Sequence, residues 1–244
     1  MADSPPPLAD LAPAALFLDF DGTLVELADA PDRIEVPSRL RPLLETLADR
    51  LEGRLAVVSG RSVADLEQYL GSGGWVLAGS HGAEFRYADG KTLPVLEPAG
   101  LGEAREEARA FAEGTHGLLV EEKPTGLAIH YRLAPDRERE VRDFAEGLAA
   151  RHGFALQLGK MVAELKPPGA DKGAAVRKLM LEPPFEGARP VVVGDDLTDE
   201  DAFRAAAELG GTGILVGAPR ETAAGWRLED VGAALSWLEA SLNG

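Results

Sequence analysis

Ala14-Ala15-Leu16-Phe17-Leu18-Asp19-Phe20-Asp21-Gly22-Thr23 is the stretch on which the fold turns. Residues 14–20 begin as a short apolar run without alternation, the pattern of a strand buried on both faces of a sheet. Two carboxylates and a glycine end it. In extended backbone alternate side chains share a face, so Asp19 and Asp21 are expected to point the same way while Phe20 turns inward. Carboxylates just past the carboxyl end of a parallel strand stand in the crevice where open α/β sheets hold ligands. The competing reading is a polar loop in which Asp21-Gly22 supplies a turn.

Working outward, apolar runs of the same kind recur at 55–58, 75–78, 190–193 and 214–216. Between them lie helix-period stripes: Leu40, Leu43, Leu44, Leu47 and Leu51 form one, and Val63, Leu66 and Leu70 another, closed by Gly71. Strand and helix alternate, which predicts an α/β core built on a doubly wound, Rossmann-like parallel sheet. The middle of the chain breaks this pattern. Helices at 101–114 and 136–151 and strands at 118–121, 127–133, 154–158 and 162–165 read as an α+β unit of their own. Because the α/β pattern resumes with a helix from Asp171, the expected division is a core at 1–100 and 167–244 with an inserted unit, naturally a lid, at 101–166. Residues 2–13, with Pro5, Pro6 and Pro7, read as a loose leader.

With 244 residues, 45% hydrophobic and 27% charged, the chain has the composition of a soluble globular protein. It has no cysteine, which excludes disulfides, thiolate metal sites and a cysteine nucleophile and makes the cytoplasm the expected compartment. The apolar stretch 14–18 is too short for a signal core or a membrane span. A formal charge of -16 repels nucleic acid and anionic membranes, so neither is an expected partner, and no oligomeric state is indicated. The same field opposes a phosphorylated substrate, so a phosphate site here needs local cations or a bound metal.

Val193-Gly194-Asp195-Asp196-Leu197-Thr198-Asp199-Glu200-Asp201 follows another apolar strand. Acids at a helix start complement its dipole, and Thr198 or Asp199 would serve as the cap. An EF-hand calcium loop is disfavoured because Glu200 replaces the glycine at its sixth position. What remains is Asp195, leaving a strand end as Asp19 does, and hard oxygen ligands without His or Cys suit magnesium. Two cationic positions complete the set. Arg61, in Ser59-Gly60-Arg61 after the second strand, reads either as solvated or as a substrate contact. Lys172, in Asp171-Lys172-Gly173, puts a cation and then a glycine into a first helical turn, against both dipole and propensity. A lysine there is well placed to hold a phosphate.

Together these segments resemble the four motifs of the haloacid dehalogenase superfamily of phosphatases: Asp19 to Thr23 the first, Ser59 the second, Lys172 the third, Asp195 with Asp196 the fourth. The inserted unit resembles that superfamily's second-type caps. Within it the chain is most similar to trehalose-6-phosphate phosphatases, on Ser80-His81-Gly82-Ala83-Glu84, Glu121-Glu122-Lys123, His130-Tyr131-Arg132 and the run from Gly159-Lys160-Met161 to Lys172-Gly173. The resemblance implies Mg2+-dependent hydrolysis of a sugar phosphate, with Asp19 as nucleophile, Asp21 as general acid and base, and Ser59 and Lys172 steadying the phosphate. It implies Mg2+ on Asp19, Asp195 and the main-chain carbonyl of Asp21. It also implies sugar contacts from Glu121, Lys123, Arg132, Lys160 and Glu164, residues that otherwise read as a solvated strand face. His81 reads equally as a buried structural histidine, and Lys166 is given no role. A sucrose 6-phosphate or glycosyl-phosphoglycerate phosphatase is the alternative within the class. A non-catalytic sugar-phosphate sensor is the alternative outside it, and it has no use for the Asp19 and Asp21 pair.

Overall fold

The first strand, β1 (Ala14–Leu18), is buried at every residue, which is why its sequence shows no alternation. Ala14, Leu16 and Leu18 enter one apolar cluster, and Ala15 and Phe17 enter another. The computed structural model describes residues 5–27, 33–159 and 161–242. The chain divides into two compact units, Met1–Leu93 with Asp171–Gly244, and Pro94–Ala170. In chain order β1 is followed by α1 (Leu40–Arg50), β2 (Leu55–Val58), α2 (Val63–Leu70), β3 (Val76–Gly79) and β4 (Glu84–Arg86). The second unit holds α3 (Leu101–Ala112), β5 (Leu119–Lys123), β6 (Gly126–His130), α4 (Glu138–His152), β7 (Ala155–Gly159) and β8 (Val162–Lys166). The first unit then resumes with α5 (Lys172–Leu179), β9 (Arg189–Gly194), α6 (Glu200–Glu208), β10 (Thr212–Val216), β11 (Trp226–Leu228) and α7 (Val231–Ala240).

The first unit's sheet has the order β11-β10-β9-β1-β2-β3-β4, parallel except for β4. Chain order runs outward from β1 through β2 and β3 on one side and from β9 through β10 and β11 on the other. The direction therefore reverses between β1 and β9, the place where such sheets open a crevice at their carboxyl ends. Leucines of α1, α2 and α7 build the cluster on one face, and α5 and α6 cover the other with Val176, Leu179, Phe203 and Ala206. This is the doubly wound α/β core expected from the sequence. The loose leader is not what the structure shows over its described part. Leu8, in a 3-10 turn at Leu8–Leu11, is buried; its N–H donates to Ser241 Oγ at 3.3 Å, and Trp237 Nε1 donates to the Pro6 carbonyl at 3.1 Å. An apolar side chain and an indole N–H that needs an acceptor tie this segment to α7.

The second unit is a four-stranded antiparallel sheet, β5-β6-β8-β7. Leu127, Ile129, Ala163 and Leu165 pack one face against Leu101, Ala104, Val141, Ala145 and Leu148 of its two helices. Paired residues in antiparallel strands share a face, so the register Glu121↔Ala128↔Glu164↔Gln157 puts three polar groups in one row on the other face. The sequence reading carried the second of these strands to 133. It ends at His130, because Tyr131 N–H donates to the Met161 carbonyl at 3.0 Å and the chain then turns, with Ala134 N–H on the Tyr131 carbonyl. Among the described residues no helix is long and apolar enough to cross a membrane.

Candidate active site

Asp19, Ser59 and Asp195 follow β1, β2 and β9, three strands that lie side by side in the sheet. Lys172 opens α5, whose cap is Asp171, its side chain accepting from Ala174 N–H at 2.7 Å. The Lys172 ammonium is 3% exposed and lies 2.8 Å from Asp19 Oδ1 and 2.7 Å from Asp199 Oδ1. The glycine after it has a steric reason, since a Cβ on Gly173 would come within 2.4 Å of the Asp201 carbonyl oxygen where α5 meets α6. Gly22 has φ +76, and a Cβ there would stand 2.2 Å from Asp195 Oδ2. Only glycine lets the loop after Asp21 pass this close to the second carboxylate.

Carboxylate oxygens of Asp19, Asp195 and Asp199 lie within 4.8 Å of one another. Asp199 is the member that the sequence reading left as a helix cap. Asp199 does stand at the N-cap position of α6, but its side chain makes no cap bond there; it closes a capping box with Asp196, which caps the 3-10 turn Leu197–Asp199 and accepts from Leu197 N–H at 2.7 Å. Asp199 is 1% exposed and accepts both from Asp196 N–H, at 2.9 Å, and from Lys172. Burial, then the nearby Asp199 charge, push the Asp19 carboxyl well above the usual carboxylate range, with Lys172 opposing. The same causes push Asp195 up to about 7. Burial pulls Lys172 down, but the attraction of Asp19 and Asp199 outweighs it and holds the ammonium charged. To ionise all three carboxylates beside the one ammonium would put an excess of two negative charges in a buried site. An all-oxygen donor set with that excess fits a hard divalent cation.

Asp21 faces a different partner. Arg61 grips it with both arms of the fork, Nε on Oδ2 at 2.7 Å and Nη2 on Oδ1 at 2.9 Å. Burial lowers the Arg61 pKa, and the hydrogen bond and charge of Asp21 more than reverse this. Ser59 is 1% exposed, and its Oγ accepts from Arg61 N–H at 3.2 Å. His81 is buried at φ 55, and its N–H donates to the Ser59 carbonyl at 2.9 Å, so that loop is tied to the one after β2. Arg220, which sequence reading missed, donates to the Asp196 carbonyl at 2.8 Å and pairs with Glu200. It braces the loop that carries Asp195. No signal in the sequence links residues twenty positions apart in this way.

In the second unit, Lys123 Nζ lies 2.6 Å from Glu164 Oε1, both side chains being buried, and His130 Nε2 lies 2.7 Å from Glu121 Oε2. Burial raises the Glu121 pKa, but the hydrogen bond from His130 and the charge of Lys123 bring it below its ordinary value. Arg132 is exposed in the turn after β6 rather than in the strand. Lys160 lies outside the described residues. Four of the five residues assigned to sugar contact are thus placed, and three of them share the sheet face opposite the helices.

Residues 17–231 match the family model for trehalose-phosphatase. A "Probable trehalose-phosphate phosphatase" of Sinorhizobium fredii (strain NBRC 101917 / NGR234) is 42% identical over 212 residues, covering 86% of this chain and 80% of its own. The "Trehalose-6-phosphate phosphatase" of Escherichia coli (strain K12) is 40% identical over 233 residues, covering 92% and 85%. A solved structure described as a trehalose-6-phosphate phosphatase related protein superposes with a TM-score of 0.79 at 28% identity, over 93% of this chain and 96% of that one.

Proposed function

Since the chain belongs to the trehalose-phosphatase family, we propose that it hydrolyses trehalose 6-phosphate to trehalose and phosphate through an aspartyl phosphate on Asp19. The observation that carries the reading is the carboxylate of Asp19, buried at the crevice of the sheet with Lys172 at 2.8 Å. An Asp19 oxygen attacks phosphorus in line, the P–O bond to the sugar breaks, and the leaving oxygen takes a proton from Asp21. Water, deprotonated by Asp21, then attacks the phosphorus and returns Asp19 as a carboxylate with release of phosphate. Lys172 and Ser59 steady the peripheral oxygens, and main-chain N–H groups after Asp21 add to them. Asp19, Asp195 and the Asp21 carbonyl would hold Mg2+, with Asp199 beside them; when bound it offsets the repulsion between nucleophile and phosphate. The reaction is assigned to the cytoplasm, with a small sugar phosphate as partner.

Chelation should abolish turnover and Mg2+ should restore it, with Ca2+ poorer because its coordination is longer and less regular. A linked signature follows from Asp195. Its folded carboxyl, at about 7 against an ordinary 3.8, takes up a proton on folding, so its stabilising contribution is present below about pH 4 and lost as pH rises through 7. Mg2+ needs the ionised form. The rise in melting temperature on adding Mg2+ should therefore be small at pH 5 and larger at pH 8, as thermal scans with and without the metal will show. An equal or larger rise at pH 5 contradicts this linkage.

The sugar is assigned to the second unit: to Glu121, Lys123 and Glu164 on the sheet face opposite its helices and, by the resemblance, to Arg132 and Lys160. Glu164→Ala and Lys123→Ala should each lower kcat/KM on trehalose 6-phosphate by about tenfold or more, roughly 1.4 kcal/mol per factor of ten. Each change also removes one ion-pair contact from a buried charge, so a destabilised unit is a second consequence. An aryl phosphate, which has no disaccharide to grip, separates the two effects. Its hydrolysis should change little, and equal losses on both substrates speak against sugar recognition by this face.

A further inference from the structure

The grip of Arg61 on Asp21 joins two segments 40 residues apart, and its Arg61 end is fixed. The guanidinium carbon stands 5.7 Å from the centroid of Phe20 and 5.3 Å from that of Tyr69, and the two rings lie 5.8 Å apart. A planar cation on an aromatic shelf has few alternative positions. The backbone of Arg61 is pinned as well, its N–H donating to Ser59 Oγ at 3.2 Å and its carbonyl accepting from Ser80 N–H at 2.7 Å. A side chain meant to follow a departing sugar would have no need of such a seat. We infer that Arg61 is a positioning residue for Asp21, holding that carboxylate in one orientation toward the reacting oxygens, rather than a contact to the sugar.

The inference rests on the proposed acid and base role of Asp21 and sharpens it. Two carboxylate oxygens held by a fork cannot rotate independently, so Asp21 presents its outward lone pairs in a fixed direction both when the sugar leaves and when water attacks. A carboxylate misplaced by about 1 Å loses much of that advantage. Lysine cannot replace the fork, because a single ammonium fixes one oxygen and leaves the rotation free.

Leaving-group dependence tests this. With trehalose 6-phosphate, whose leaving alkoxide needs a proton, Arg61→Ala should lower kcat by roughly thirtyfold or more with KM within about threefold of wild type. Arg61→Lys should recover only part of the loss. With 4-nitrophenyl phosphate the leaving group needs no acid, so Arg61→Ala should still release about one nitrophenolate per enzyme in a rapid burst before slow turnover. Tyr69→Leu, which removes half of the shelf and leaves Arg61 and Asp21 in the chain, should show the same pattern more weakly. It serves as the test if Arg61→Ala does not fold. A rise in KM with kcat near wild type overturns the inference in favour of sugar binding, and loss of the burst overturns it in favour of general damage to the site. Wild type run alongside keeps the two readings apart: a wild type unable to release phosphate from trehalose 6-phosphate overturns the phosphatase reading and this one with it.

Discussion

Asp19→Asn should lower turnover of trehalose 6-phosphate by at least about 10⁴-fold while the protein stays folded. The amide matches the carboxylate in shape but is a poor nucleophile, so the covalent step is lost with little change in packing. The neighbourhood predicts more than inactivity. Asp19 is buried, and the Asp199 charge raises its pKa further, so the ionised side chain is held there at a cost. Lys172 keeps Asp199 as a partner at 2.7 Å when the Asp19 charge is removed. Without metal, Asp19→Asn should therefore melt no lower than wild type, and relief of repulsion should raise the midpoint at pH 8. Each kcal/mol gained appears as about 2–4 °C in a chain of this size. Turnover within tenfold of wild type removes Asp19 from the nucleophile role, and a much lower melting point removes the strained-carboxylate argument.

Lys172→Met should be the most damaging single change to fold and function together. The ammonium is buried between Asp19 and Asp199, and its removal leaves carboxylates without a compensating charge, an effect on the order of 3–5 kcal/mol. The loss of a cation for the phosphate oxygens should by itself lower turnover roughly a hundred- to a thousandfold. A pH dependence of definite sign follows. As pH falls below 7 the Asp195 carboxyl takes a proton, the excess negative charge shrinks, and the stability deficit of Lys172→Met relative to wild type should narrow. Denaturant midpoints for both proteins between pH 5 and 8 will read it. A deficit that widens toward pH 5 contradicts this electrostatic role for Lys172.

The sequence showed the core because burial on both faces leaves an uninterrupted apolar run, and because Asp19, Ser59 and Asp195 each stand directly beyond such a run. β4 and β11 have three residues each, too few for any period to register. α7 escaped because Val231, Ala234, Leu235, Trp237 and Leu238 are buried in a segment apolar nearly all round, without the stripe that marks an amphipathic helix. Asp199 was quoted in its motif yet read as a cap. An acid near a helix start has two uses, and only the position of Lys172 across the crevice tells them apart. The fork between Arg61 and Asp21 is a tertiary fact of the same kind. In the second unit the charged residues were legible by resemblance, but the Lys123–Glu164 pair depends on β5 and β8 being separated only by β6.

Phosphate release by the wild-type chain from trehalose 6-phosphate, sucrose 6-phosphate, a glycosyl-phosphoglycerate and 4-nitrophenyl phosphate, each with Mg2+ and again with excess chelator, tests the central claim most directly. The predicted result is the highest kcat/KM on trehalose 6-phosphate, falling to background with chelator and in Asp19→Asn. Failure to release phosphate from any of these sugar phosphates with Mg2+ present, or release that is indifferent to both chelator and Asp19→Asn, would contradict it.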